Sequence, residues 1–189
     1  MTGKTHQIIG ITAGMGWYVS NIDPVYGPAT LASLLVGCYF ASLLPDIDQP
    51  AAKIWHSLPF GHTVSKVINP FLAHRNISHS LLGSLIVFWA IFSLLKLFPD
   101  YWGVDKTIVL TAFMISYCSH VLADMFTSEG VPLLFPYQRM LGIPPKPFEG
   151  ARILTGKWFE NLVIFPIINL ALIALIVSNW QVLKTVLFK

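Results

Sequence analysis

Charge is scarce in this chain: of 189 residues, 12 are Lys or Arg and 9 are Asp or Glu, 11% in all. A soluble domain carries about 25% charged residues, so this composition excludes an ordinary water-facing surface. Cysteine is scarce too. Cys38 and Cys118 both sit inside apolar runs, which excludes a disulfide framework or a thiolate zinc site, since those need patterned partners. They read as small core residues. Basic runs are absent: the net charge is +3 and the cations are scattered, so no nucleic-acid footprint is present. No repeat or low-complexity tract breaks the chain, which reads as one domain over residues 1–189. A secretory signal is not expected either. Lys4 is a lone basic residue, Gly10, Thr12, Gly14 and Gly16 dilute the apolar stretch that follows, and no small-x-small cleavage pattern appears.

What the chain has in abundance is apolar length. Hydrophobic residues make up 54% and the mean hydropathy is +0.65, a composition suited to the bilayer. Four apolar stretches stand out, at about residues 28–44, 81–98, 107–123 and 162–180. A spanning helix needs roughly 20 residues, with about 17 tolerated. A fifth stretch, residues 6–20, is shorter and glycine-rich, but small residues let membrane helices approach closely. The predicted fold is therefore all-α: a polytopic bundle of about five helices. Residues 45–80 and 125–161 form two long connections rich in aromatics and prolines, expected to lie in the membrane interface. Five spans would put the N-terminus, both long loops and the end of the fourth helix on one side.

That side would gather the metal-ligand residues. LLPDIDQP follows the second stretch, and Asp46 and Asp48 would point the same way if the backbone there is extended. AHRNISHSLL precedes the third, with His74 and His79 five apart. Five residues are about 500° of helix rotation, so His74 is expected in a loop, His79 near the helix start, and Ser78 in position to cap it. Arg75 is either a snorkelling anchor or a clamp on a phosphate or carboxylate. His120 and Asp124 close the fourth stretch at i, i+4 spacing, which stacks them on one helical face. His6 joins them only if there are five spans. Arg139, Lys146, Arg152 and Lys157 could neutralise an anionic headgroup, although basic loops that obey the positive-inside rule are the simpler reading for Lys146 and Lys157.

Imidazoles and carboxylates together suit zinc, manganese or iron. Seven candidate ligands exceed the needs of one tetrahedral ion, so a two-ion site that hydrolyses a phosphoester is one expectation. A non-enzymatic metal transporter or sensor is the alternative, since ionisable residues at membrane depth also make ion pathways. Basic residues are more numerous on the motif side, which favours a cytoplasmic orientation for it.

These motifs resemble the YdjM family, described as inner-membrane-associated metal-dependent hydrolases and associated by name with LexA. The resemblance rests on LLPDIDQP, HRNISHSLL and SHVLADMFTSEGVPLLFP, collinear over nearly the whole chain, with an early Thr5-His6 pair in place of the family's TxH. It implies several membrane helices in a bacterial inner membrane and a metal site at His6, Asp46, Asp48, His74, His79, His120 and Asp124. Arg75 belongs to the same matched set. Gln49 stands where the family often has a further His, and Asn76 where it often has Gly. A family-like stretch from Arg152 leads to Glu160, which is a further site candidate or simply a helix-start carboxylate favoured by the dipole.

Overall fold

The structure, a computed structural model, describes residues 1–21, 27–48, 53–57, 63 and 77–188. Among these residues all the regular elements are helical. The seven α-helices are α1 (Gly3–Ser20), α2 (Pro28–Ala41), α3 (Lys53–Ser57), α4 (Leu81–Leu97), α5 (Lys106–Met125), α6 (Phe165–Ser178) and α7 (Trp180–Leu187). Local signals set several of their ends. Pro28 opens α2 at a position where its missing N–H costs nothing. Asp105 caps α5 by accepting from Ile108 N at 2.9 Å. Ser80, and not Ser78, caps α4 through Gly83 N at 3.0 Å, because the helix begins at Leu81. A π-helical turn, Glu160–Ile164, leads into α6; the wider turn suits Pro166, whose ring cannot follow a regular α-turn.

α5 is the centre of the bundle, packed by α1, α2 and α4, while α6 lies against α1. Two glycines make the α1–α5 contact close. A Cβ on Gly10 would fall 2.4 Å from Ser116 Oγ and 2.5 Å from Ser42 Cβ, and one on Gly14 would fall 2.3 Å from Cys38 Sγ. The register is antiparallel and regular. Gly14 meets the Ala112 carbonyl, Gly10 meets Ser116, His6 stacks on His120, and the Met1 ammonium reaches Asp124. On α5 each step is four residues, as are the steps from Gly14 to His6 on α1, the i, i+4 spacing that keeps residues on one face; Met1 lies just ahead of α1.

Helices occupy all five places expected from the sequence, yet among the described residues only two are long and apolar enough to cross a membrane by length and composition alone. These are Lys106–Met125 and Glu160–Ser178, with mean hydropathies of 1.5 and 2.4. The expectation of four strong spans is not met as stated. α2 has 14 residues because Pro45 and a 3-10 turn, Leu44–Asp48, redirect the chain, and α4 has 17. α1 has the length, 18 residues, but its Thr, Gly, Gln and His residues make it less apolar.

The outer faces point to lipid nonetheless. α6 buries no residue, and Leu170 and Val177 on it are 65% and 67% exposed. α4 exposes Leu82, Leu85, Ile86, Trp89 and Leu94, and buries only Gly83. Exposed apolar faces of this extent do not persist in water. They fit a chain whose solvent on that side is hydrocarbon.

The segment after α5 is ordered by backbone pairing. Val131 and Leu141 exchange N–H···O bonds of 2.8 and 2.7 Å, Ile143 N donates to Met125 O, and Ile153 N donates to Phe126 O. Leu81 N donates to Leu133 O, tying the start of α4 to the same segment. This brings the turn at residues 77–80 beside the end of α5.

Candidate metal centre

Four donors from three separated parts of the chain converge at the end of the bundle. Asp46, His79, His120 and Asp124 each offer a ligand atom within 4.8 Å of the others. Their routes there differ. His120 and Asp124 come from successive turns of α5. His79 comes from the turn before α4, held by the Tyr117 hydroxyl donating to the Ser78 carbonyl. Asp46 comes from the 3-10 turn after α2, so the extended backbone expected for the LPDID segment is not found. Pro45 ends the α-helix, and the chain beyond α2 closes into the 3-10 turn Leu44–Asp48 in place of running on extended.

The separations describe a shared shell, not direct pairing. His79 Nε2 lies 3.8 Å from Asp46 Oδ1 and 3.5 Å from Asp124 Oδ2. His120 Nε2 lies 3.7 Å from Asp46 Oδ1 and 3.6 Å from Asp124 Oδ2. These are too long for hydrogen bonds. Donors about 2.1 Å from a common tetrahedral centre stand roughly 3.4 Å apart, close to what is observed. The four side chains are no more than 16% exposed, so bulk water cannot be what holds two carboxylates near one another.

His120 supplies the sharpest test of fit. Its Nδ1 is 2.7 Å from the Ser42 carbonyl oxygen, which can only accept, so Nδ1 carries the proton and donates. Nε2 then faces the cluster with its lone pair, and it is fully buried without a hydrogen-bond partner. An imidazole fixed by its second nitrogen to a carbonyl is the arrangement metal-ligating histidines adopt. The donor set of two imidazoles and two carboxylates suits a borderline divalent cation. The residues present fit such an ion.

His6 lies beside this group. It is fully buried, and its ring stacks on that of His120 with centroids 3.6 Å apart. His6 Nε2 is 3.0 Å from Asp124 Oδ1, but without the alignment of a hydrogen bond, and neither ring nitrogen has a hydrogen-bond partner. Asp124 thus turns Oδ2 toward His79 and His120, and Oδ1 toward His6 and the Met1 ammonium at 2.5 Å.

Not every expected residue enters. His74 and Arg75 lie outside the described residues, as does the side chain of Asp48. Glu160 is buried, but it stands in a cradle of its own. Its Oε1 accepts from Thr2 N at 2.7 Å and Thr2 Oγ1 at 2.6 Å, and its Oε2 accepts from Gly156 N at 2.7 Å. Those bonds fasten the start of α1 to the segment before α6, close in sequence to His6. The sequence reading missed the Ser42 carbonyl that orients His120, because a backbone acceptor leaves no mark on residue type.

The sequence profile described as YdjM inner membrane protein matches residues 1–187. The chain belongs to the YdjM family. The inner membrane protein YdjM of Escherichia coli (strain K12) is 31% identical over 148 residues, covering 76% of this chain and 70% of that protein. The YdjM protein of Shigella flexneri matches to the same extent. An uncharacterized protein, YvsG, of Bacillus subtilis (strain 168) is 34% identical over 167 residues, covering 87% of this chain and 88% of its own. No solved structure matches. YdjM membership establishes association with a membrane, in agreement with the exposed apolar faces of α4 and α6.

Proposed function

We propose that this YdjM-family chain is a multi-pass inner-membrane hydrolase that uses divalent metal to cleave a phosphoester or related bond of a lipid-linked or amphiphilic substrate. One observation supports this reading above the others: four buried metal-ligand side chains converge where the helix ends meet the interfacial segment, and His120 Nε2 is orphaned among them.

Asp46, His79, His120 and Asp124 would hold the first ion. When bound, a divalent cation there supplies Lewis acidity and lowers the pKa of a ligated water. Two imidazoles and two carboxylates would suit zinc or manganese, and an ion able to take further ligands beyond these four would leave room for water. Asp124 turns one oxygen toward His79 and His120 and the other toward His6, so that His6 and Asp124 would be the residues here to hold a second ion in place of the Met1 ammonium. His74 and Asp48 are proposed to complete that second shell, and Arg75 to steady the anion of the substrate. Glu160 is proposed to act as a positioning residue, keeping the start of α1 and hence His6 in place.

The proposed topology has five spans, with the motif side in the cytoplasm. α2 and α4 are short for a bilayer, but short helices are accommodated by local thinning at modest cost. The whole chain would work as one domain.

The test is a substrate screen with protein in lipid nanodiscs, metal-loaded and chelated, against phospholipids and isoprenoid phosphates. Release of phosphate or headgroup only in the metal-loaded protein, lost in Asp46→Ala, is expected. Metal-loaded protein that takes up ions into vesicles and releases no product would favour the transporter instead.

A further inference from the structure

A polar cavity lies beyond the end of α5, in the segment that the metal centre does not use. Its volume is about 520 Å³, and Arg139, Lys146 and Arg152 line it with Glu129 and Glu149. None of the four metal donors is among its walls. Lys146 Nζ and Glu149 Oε2 are 3.8 Å apart in an exposed pair at its edge. Among the described residues of its wall, three cations face two carboxylates, so the lining carries an excess of positive charge.

Arg152 is built into place. Its Nε donates to the Pro144 carbonyl at 2.8 Å and its Nη2 donates to the Gly142 carbonyl at 3.2 Å. Those bonds use two of the five N–H donors of the guanidinium. The group lies flat against Gly142: a Cβ there would fall 2.5 Å from Cζ and 2.6 Å from Nη1. Any other residue at position 142 would displace the guanidinium. A planar fork held in this way, beside a wall of the cavity, is preorganised for an oxyanion pair.

The surroundings narrow the source of the anion. Met140 lines the cavity and is exposed, and Phe148, Tyr137 and Trp158 are exposed nearby in the same segment. Aromatic side chains with one wet and one apolar side settle at the headgroup level of a bilayer. We infer that this cavity binds the phosphate group of an anionic membrane lipid, with Arg152 as the fixed donor and Arg139 as the second cation at its rim. The inference needs the chain to sit in a membrane but does not need the metal centre to be catalytic.

Native mass spectrometry of the full chain in detergent, with phosphatidylglycerol, phosphatidylcholine or inorganic phosphate added, tests it. Phosphatidylglycerol should stay bound to the wild type in preference to phosphatidylcholine. Arg152→Gln and Gly142→Ala should each lower its retention by about tenfold or more, the loss of a charge-assisted pair. Arg139→Gln, at an exposed position with little effect on folding, should lower it in the same direction. Lys184→Gln, on α7, should leave it unchanged. Metal content serves as the check on folding, and retention of lipid in His120→Ala would separate this site from the metal centre. Equal retention in wild type and all three cavity variants would overturn the inference. Displacement of the lipid by inorganic phosphate at matched concentration would overturn its lipid form and assign a soluble phosphate instead.

Discussion

His6 and His120 are stacked ring on ring, with centroids 3.6 Å apart and planes 13° apart. The pair joins α1 to α5 at the level of the metal donors, one helical turn beyond the contact of Gly10 with Ser116. Because His120 already donates to the Ser42 carbonyl, the stack fixes a ring whose remaining nitrogen faces Asp46, His79 and Asp124. The second ring, His6, presents its own nitrogens on the other side of Asp124.

His6→Phe should separate packing from ligation. Phenylalanine keeps the stacked area and removes Nε2. If the proposed second ion is held on the His6 side, the variant should fold and hold about one ion fewer than the wild type, and any proposed metal-dependent hydrolysis should fall with it. Metal analysis alongside a melting curve checks this. Unchanged metal content would limit His6 to packing.

Gly10→Val should loosen the whole site from a distance. The added side chain would run into Ser116 and Ser42, and overpacking of this kind costs roughly 1–3 kcal/mol. Because α1 carries His6, a lower melting temperature and a weaker affinity for metal should appear together. Gly27→Ala, where a Cβ meets no atom within 4 Å, should change neither.

Glu160→Gln should behave as a structural change. The amide keeps the shape but replaces a carboxylate that accepts three hydrogen bonds, and hydrogen bonds to charged groups contribute about 1.5–3 kcal/mol each. The variant should melt lower and keep the first ion. A loss of turnover with unchanged stability and unchanged metal content would instead make Glu160 catalytic.

Leu170→Arg should impair membrane integration. Leu170 is 65% exposed on α6, within a helix that buries nothing. Arginine near the centre of a spanning helix costs about 2.5–3.5 kcal/mol on the insertion scale. Reduced integration in a glycosylation-mapping assay is expected. Full integration would argue that this face does not meet lipid.

Much of this site was legible because its signals are local. His120 and Asp124 share a helical face through their spacing alone, and His79 stands just ahead of an apolar run. The company of His6 followed from counting spans, and its cause is visible in Gly10 and Gly14, which permit the close approach. Other parts were hidden. Asp46 arrives through a 3-10 turn in place of extended backbone, since the chain after Pro45 can take either and the surrounding packing decides. The cavity of Arg139, Lys146 and Arg152 depends on backbone pairing between Val131 and Leu141 and between Phe126 and Ile153. Such pairing is non-local and prints no periodicity. The end of α2 is a different case: hydropathy continues past Ala41, whereas the α-helix stops there ahead of the 3-10 turn at Pro45.

The most direct measurement is metal content per chain in protein purified without added chelator, for the wild type and for Asp46→Ala, His79→Ala, His120→Ala and Asp124→Ala. The four-donor centre predicts a stoichiometric divalent ion in the wild type, lost or severely reduced in every one of the four folded variants. A folded wild type that takes up no divalent ion when one is supplied, or variants that hold as much as the wild type, would contradict it.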